Sequence, residues 1–294
     1  MPISTAQCGD VELAYETFGD PANPAVVLVM GLATQMIGWP DGFCSLLVDA
    51  GFHVVRFDNR DIGLSTHLHE AGVPDLSGLL VGKPLESAPY TLGDMADDTL
   101  GLLDALELER VHLVGASMGG MIVQEFALRH PERLLSLTSI MSTPSVAIGP
   151  PTADAMSALF IPPPDCAEAA AARSVAVYRV IGSPGYPLDE AGLAERGKES
   201  FRRSNDPAGV ARQLAAIQLA ADRSERLRGL AVPTLVLHGE SDPLVQPDGG
   251  RATAAAVPGA RRVTFPGMGH DLPEALWPQF VAEIRALATA AARG

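Results

Sequence analysis

Short apolar runs bounded by polar or glycine-containing turns recur along the 294-residue chain. Those at Val11 to Thr17, Ala25 to Met30, His53 to Phe57, Val111 to Val114, Leu134 to Met141, Thr234 to His238 and Arg261 to Phe265 are of strand length and most are rich in Val, Leu and Ile. Stretches with helical character fall between most of them, at Phe43 to Ala50, Leu92 to Leu106 and Gly120 to Arg129, with a last one from Glu274 to Ala292. This alternation predicts an α/β fold, a mostly parallel central sheet with helices on both faces.

The alternation stops between about Thr143 and Leu230. Pro144, Pro150, Pro151 and the triplet Pro162-Pro163-Pro164 punctuate Ala-rich sequence there, and Ala167 to Ile181, Leu188 to Arg203 and Pro207 to Ala220 read as helices with no strand signal among them. Strand character returns at Val232-Pro233-Thr234-Leu235-Val236-Leu237. The pattern predicts a core of residues 1–143 and 230–294, with residues 144–229 inserted between two core strands as a helical cap over the C-terminal edge of the sheet.

Composition agrees with a folded core. Hydrophobic residues make up 47% of the chain and charged ones 19%, unlike a disordered sequence, and the length exceeds the ~250 residues at which single cores stop growing. The net charge of -14 repels phosphate backbones and anionic membrane surfaces, so neither nucleic acid nor a membrane is an expected partner. The first residues lack a basic and apolar leader and no apolar stretch is long enough to cross a bilayer, which makes a cytoplasmic location the default expectation. Cys8, Cys44 and Cys166 are scattered, without a C-x-x-C pair. They suggest neither a disulfide framework nor a zinc knuckle and fit a reducing compartment.

Candidate chemistry begins at Gly115-Ala116-Ser117-Met118-Gly119, a G-x-S-x-G string where the Val111 to Val114 strand meets a helical run. A tight strand-to-helix reversal exposes the serine as a nucleophile, and small flanking residues let the turn close. A serine hydroxyl needs a base, normally a histidine oriented by a carboxylate. His270 follows the last strand in Pro266-Gly267-Met268-Gly269-His270-Asp271, and Asp242 follows the preceding one in Gly239-Glu240-Ser241-Asp242-Pro243. All three residues thus fall after strand C-termini, the edge where parallel sheets place their sites, in the order Ser, Asp, His that accompanies this turn. Glu240 and Asp271 are the rival carboxylates. Pro243 favours Asp242 by fixing the backbone after it, whereas Asp271 adjoins the ring it would have to reach. Of the other histidines, His112 is expected to face the core, His130 to end a helix, and His238 to brace the Asp242 loop. The backbone N–H groups of Met118 and Leu32 are the candidate oxyanion donors. The polar segment Arg56 to Ser65 reads as a loop brace. No metal or cofactor motif is present, and this chemistry requires neither.

With these residues in place, the chain resembles the α/β-hydrolase superfamily over nearly its full length, and is most similar to the aclacinomycin methylesterase group. The strings that carry the likeness are Gly9-Asp10-Val11-Glu12-Leu13, Phe18-Gly19-Asp20-Pro21, Val29-Met30-Gly31, Gly38-Trp39-Pro40-Asp41, Arg60-Asp61 with Gly63 and Ser65-Thr66, and Pro266-Gly267-Met268-Gly269-His270. The resemblance implies an α/β-hydrolase fold with a helical cap, Ser117 as nucleophile, His270 as base and Asp242 as its orienter. It further implies hydrolysis of a carboxylic ester, with the methyl ester of a polyketide-like small molecule as the specific case. Lactone, carbon–carbon bond and peracid chemistry use the same triad, and a binding protein reusing the pocket is the alternative outside catalysis. Many relatives have His-Gly where this chain has Met30-Gly31, so a ring hydrogen bond supporting that loop is expected to be missing. In the cap, Met156, Phe160, Tyr178, Tyr186 and Phe201 either line the substrate pocket or hold the cap helices in place.

Overall fold

In the computed structural model, which describes residues 3–78 and 85–292, the predicted strands assemble into one eight-stranded sheet. Strand β1 (Ser4–Cys8) forms a hairpin with β2 (Val11–Phe18), and β3 (Ala25–Val29), β4 (His53–Phe57), β5 (Val111–Ala116), β6 (Leu134–Ile140), β7 (Thr234–Gly239) and β8 (Arg261–Phe265) follow. Their spatial order is β1-β2-β4-β3-β5-β6-β7-β8. Pairing is parallel from β4 through β3 to β8, and antiparallel only where β2 joins β1 and β4. The expected mostly parallel sheet is therefore borne out. Strand β1, Ser-Thr-Ala-Gln-Cys, is the addition: it is an edge strand with three exposed positions, so it carries too few apolar residues to read as a strand.

Helices cover both faces. On one side α2 (Leu92–Ala105) and α3 (Met118–Arg129) pack Leu102, Leu103, Ile122 and Phe126 against Val27, Val29 and Leu113. On the other, α1 (Asp41–Asp49) and α10 (Trp277–Ala291) pack Phe43, Leu47, Phe280 and Ile284 against Val26, Leu28, Val114 and Leu235. Neighbouring residues of β3 thus enter opposite cores, as a period of two requires. Because both faces are covered, the central strands read as unbroken apolar runs. Helix α2 opens on a capping box, with Thr91 accepting from the Asp94 N–H and the Asp94 carboxylate accepting from the Thr91 N–H. No helix among the described residues is long and apolar enough to cross a membrane.

Between β6 and β7 the chain forms α4 (Ala153–Leu159), α5 (Ala167–Ile181), α6 (Glu190–Arg203), α7 (Pro207–Gln218) and the single turn α8 (Ser224–Leu227), and α9 (Asp248–Ala256) follows β7. Helix α4 is short and broken off by the proline triplet, and α9 begins in a Pro-Asp-Gly-Gly sequence that reads as a turn. The last predicted helix divides, its first turn Glu274–Leu276 being 3-10 before α10 begins.

Charge holds the helices between β6 and β7 to the loops of the sheet. Arg212 in α7 is 0% exposed and makes a bidentate pair with buried Asp61, at 2.8 and 2.7 Å. Arg203 at the end of α6 donates to Asp58 at 2.5 Å and to Gln35 at 2.7 Å. The segment expected to brace a loop does so, and it also receives these two arginines from elsewhere in the chain. Breaking a buried pair leaves an uncompensated charge, so Arg212→Ala is expected to lower unfolding stability by about 3–5 kcal/mol, read from denaturant midpoints. Replacing Arg212 and Asp61 together with Met and Leu should cost markedly less in the same titration.

His112, the second residue of β5, is 5% exposed and hydrogen-bonds Ser136 through Nδ1 at 2.8 Å. Burial lowers its pKa to about 4, below the ~6.5 of an unfolded histidine. Between those values the unfolded chain binds a proton that the native chain does not. Stability contributed by neutral His112 is therefore complete above pH 6.5 and lost as pH falls toward 4, by on the order of 3 kcal/mol in all. Denaturant titrations of His112→Gln should show a flatter dependence over that window.

Candidate active site

Ser117 is the hinge between β5 and α3. Its backbone lies at φ +58°, a left-handed conformation that costs a non-glycine residue and persists only where the surroundings hold it. They hold it through bonds from the Ser117 N–H to the Ile140 carbonyl at 2.9 Å and from the Ser142 hydroxyl to the Ser117 carbonyl at 2.8 Å. Glycines let the reversal close. A β-carbon on Gly119 would stand 2.1 Å from the Val29 carbonyl oxygen, and one on Gly115 would stand 2.2 Å from the Gly119 carbonyl oxygen.

His270 and Asp242 reach this hinge from the ends of β8 and β7. The His270 ring lies between the other two side chains, with Nε2 at 2.9 Å from Ser117 Oγ and Nδ1 at 2.8 Å from Asp242 Oδ2. The second Asp242 oxygen accepts from the N–H groups of Leu244 and Val245, both at 2.9 Å, which fixes the carboxylate plane. The two loops are joined by backbone, Glu240 N–H to the Phe265 carbonyl and Ser241 N–H to the Met268 carbonyl, at 3.0 and 2.9 Å. With the Asp242 carboxylate on Nδ1, that nitrogen carries the proton and Nε2 faces the serine as an acceptor.

The rival carboxylates are engaged elsewhere. Asp271 accepts from the Ser183 hydroxyl and is pushed above the usual carboxylate range by burial, while Glu240 accepts from Thr264 at 2.8 Å. His238 is fully buried, donates from Nε2 to the Val245 carbonyl at 2.8 Å and approaches Asp242 to 3.6 Å. It sits where a brace of the acid loop must sit. Burial lowers its pKa, which keeps it neutral beside the carboxylate. Burial also pushes the Cys8 and Cys44 thiols up to about 12, so neither competes as a nucleophile.

The loop after β3 runs directly against the hinge. A β-carbon on Gly31 would stand 2.9 Å from Ser117 Cβ and 3.4 Å from Oγ. The N–H of Leu32, next along this loop, and that of Met118, in the first turn of α3, make no bond to another described residue. Asn59 donates to the Met30 carbonyl at 2.9 Å, and Met30 itself is buried in the core.

The five apolar residues named between β6 and β7 part company. Met156 and Phe160 on and after α4, and Phe201 on α6, are half-buried without joining a buried apolar cluster. Tyr178 packs with Ala155, Ala158, Ile181 and Leu244. Tyr186 packs toward β8 and α10, where with Val263, Phe265 and Leu276 it lines a surface groove of about 410 Å³. The His270 loop is itself held from this region. His270 N–H donates to the Ile181 carbonyl at 2.7 Å, Gly269 N–H to the Ser183 hydroxyl at 2.8 Å, and Gly185 N–H to the Gly267 carbonyl at 2.8 Å. Sequence reading missed these ties because most are backbone bonds with no side-chain signature. A further cluster, His67, His69 and Asp206, brings three potential ligand atoms within 4.8 Å of one another. Asp206 Oδ2 there already accepts from Arg212 at 3.3 Å and pairs with His67 at 2.8 Å, an ion cluster between α7 and the loop after β4.

Comparison with known proteins agrees with this architecture. The family model described as alpha/beta hydrolase fold matches residues 24–274. Rhodomycin D methylesterase DauP of Streptomyces sp. (strain C5) is 30% identical over 99% of this chain and 99% of its own. Its counterpart DnrP of Streptomyces peucetius is 29% identical with the same coverage of each. The expected likeness to methylesterases is thereby borne out. Among solved structures, the enol-lactonase from Burkholderia xenovorans LB400 has a TM-score of 0.75 at 26% identity, covering 97% of this chain and 100% of that one. The matched family span, the full-length identity to two methylesterases and the sheet order together place this chain in the α/β-hydrolase fold family.

Proposed function

We propose that the chain is a cofactor-independent serine hydrolase of carboxylic esters, and that its substrate is a small neutral ester, in the specific case a methyl ester on a polyketide-like scaffold. The observation that carries the reading is the His270 ring, bonded at 2.9 Å to Ser117 and at 2.8 Å to Asp242. In this reading Ser117 Oγ attacks the ester carbonyl carbon as its proton passes to His270 Nε2. The carbonyl oxygen takes the negative charge and accepts from the N–H groups of Leu32 and Met118. Collapse of the tetrahedral adduct breaks the bond to the alkoxy group, which leaves as the alcohol with the proton from His270. Water then gives its proton to His270 and attacks the acyl-serine, and the acid and free Ser117 are released.

The helices between β6 and β7 act as a cap, residues 144–229, and Met156, Phe160, Tyr178 and Phe201 supply its apolar lining. Tyr186 belongs to the β8 side and is left out of that lining. The net charge of -14 favours neutral over anionic substrates. Free thiols, two of them buried, fit a reducing compartment, and a cytoplasmic location is part of the proposal. Likeness to an enol-lactonase favours one second reading, a cyclic ester, which the same steps open without releasing a separate alcohol.

Ser117→Ala is expected to lower turnover of p-nitrophenyl acetate by on the order of 10⁴-fold or more with an unchanged melting temperature; full retained activity would overturn the assignment. Asp242→Asn should lower kcat by roughly 10⁴-fold, because the carboxamide stabilises the wrong tautomer of His270. Mass analysis of products from a methyl ester and from a lactone separates the two substrate classes.

A further inference from the structure

Gln213, in α7, is 0% exposed and spends its whole carboxamide on two loops of the core. Its Oε1 accepts from the Ala33 N–H at 3.1 Å, and its Nε2 donates to the Arg60 carbonyl at 2.9 Å. Ala33 lies on the loop that runs against Ser117, in a turn closed by the bond from the Thr34 N–H to the Gly31 carbonyl at 3.3 Å. Leu32 and Ala33 are its central residues, and Ala33 stands at φ +58°. That is the second central position of a type II turn, where glycine is the favoured residue.

Left alone, an alanine there relaxes. Rotating the peptide plane between Leu32 and Ala33 returns Ala33 to negative φ and converts the turn to the type I form, which suits most residues. The same rotation turns the Ala33 N–H away from Gln213 and the Leu32 carbonyl away from the Thr34 hydroxyl, which donates to it at 3.0 Å. The Gln213 bond therefore opposes the relaxation directly. On the near side of the turn the Met30 carbonyl is held by Asn59; on the far side Gln35 donates to the Ser200 carbonyl of α6 at 2.8 Å. Thr34 and Gln213 both grip the strained peptide itself, Thr34 from within the turn and Gln213 from a helix outside it.

We propose that Gln213 is the positioning residue of the oxyanion loop. A side chain from the helices between β6 and β7 holds the Leu32–Ala33 peptide in its strained form, and by anchoring the backbone at Ala33, one residue beyond the Leu32 N–H, it holds the loop that carries that N–H beside Ser117. Seating of α7 and completion of the oxyanion site are then one event. This rests on the ester-hydrolase reading and adds to it a residue that acts through Leu32 without touching the substrate.

The test compares Gln213→Met, close in shape but unable to form either bond, with the unsubstituted chain. The expected result is a fall in kcat for p-nitrophenyl acetate of about 10- to 100-fold with KM changed less than about threefold, the size of effect that small misplacements of catalytic groups produce. Affinity for a boronic acid that forms a tetrahedral adduct on Ser117 should fall by a similar factor, since that adduct uses the same donors. The fraction of Ser117 finally labelled by a fluorophosphonate should stay unchanged, which a loss of folded protein would not allow. Gln213→Glu, which keeps an acceptor facing Ala33, should fall between the two, and Gln213→Leu, which likewise removes both bonds, serves in place of the Met variant if that one does not fold. A kcat and an adduct affinity both within twofold of the unsubstituted chain would overturn the inference alone. Absence of Ser117-dependent turnover in the unsubstituted chain would overturn the ester-hydrolase reading first, and this inference with it.

Discussion

The constraint on which this molecule turns is the close approach of backbone to backbone around Ser117. For a side chain to stand clear of the sheet edge, the chain must reverse within one residue, and α3 must start against the end of β3. The 2.1 Å that would separate a Gly119 β-carbon from the Val29 carbonyl oxygen measures how little room is left. The reversal sets Ser117 at φ +58°, a strain the packed core on both sides of β5 can hold. Every other element of the site is located relative to this fixed point: the end of β3 brings the Gly31 loop to one side, and the ends of β7 and β8 bring Asp242 and His270 to the other.

What could be read from the sequence follows from which parts carry side-chain patterns. The central strands were legible because they are buried on both faces and so remain apolar without interruption; β1, half exposed at the edge, was not. Ser117, Asp242 and His270 could be picked out because each follows a strand end with a distinctive local string. Asp58 and Asp61 could be read as polar loop residues, yet their partners Arg203 and Arg212 lie more than a hundred residues away. Nothing local announces a pairing at that separation. The ties between the His270 loop and residues 181–185 use mostly main-chain atoms, which no residue type signals.

Those hidden ties alter what the helices between β6 and β7 are for. A lid that merely shields a site needs few polar bonds to the loops beneath it. Here the loop carrying His270 is bonded to the end of α5, the loop carrying Leu32 to α6 and α7, and the loop after β4 to Arg203 and Arg212. Buried ion pairs of this kind contribute little net stability against an apolar alternative, but they tolerate no loose geometry, since a half-made pair is costly. Their effect is to specify one seating of the helices, and with it one position for each loop.

The change from His-Gly to Met30-Gly31 fits the same logic. A ring at that position would support the oxyanion loop from the core side. Met30 is instead buried among apolar residues, and its carbonyl is held by Asn59 while the strained peptide at Ala33 is held by Gln213. The loop is thus tied to a helix that arrives some 180 residues later in the chain. On the proposed reading, a hydrolase arranged this way cannot vary its cap freely to suit new substrates. Met156 and Phe160 lie on and after α4, which makes no hydrogen bond to the Gly31 loop among the described residues, whereas α6, which carries Phe201, holds that loop through Gln35 and α7 holds it through Gln213. On the proposed reading, selectivity is therefore free to drift on α4 and is tied to catalysis on α6 and α7.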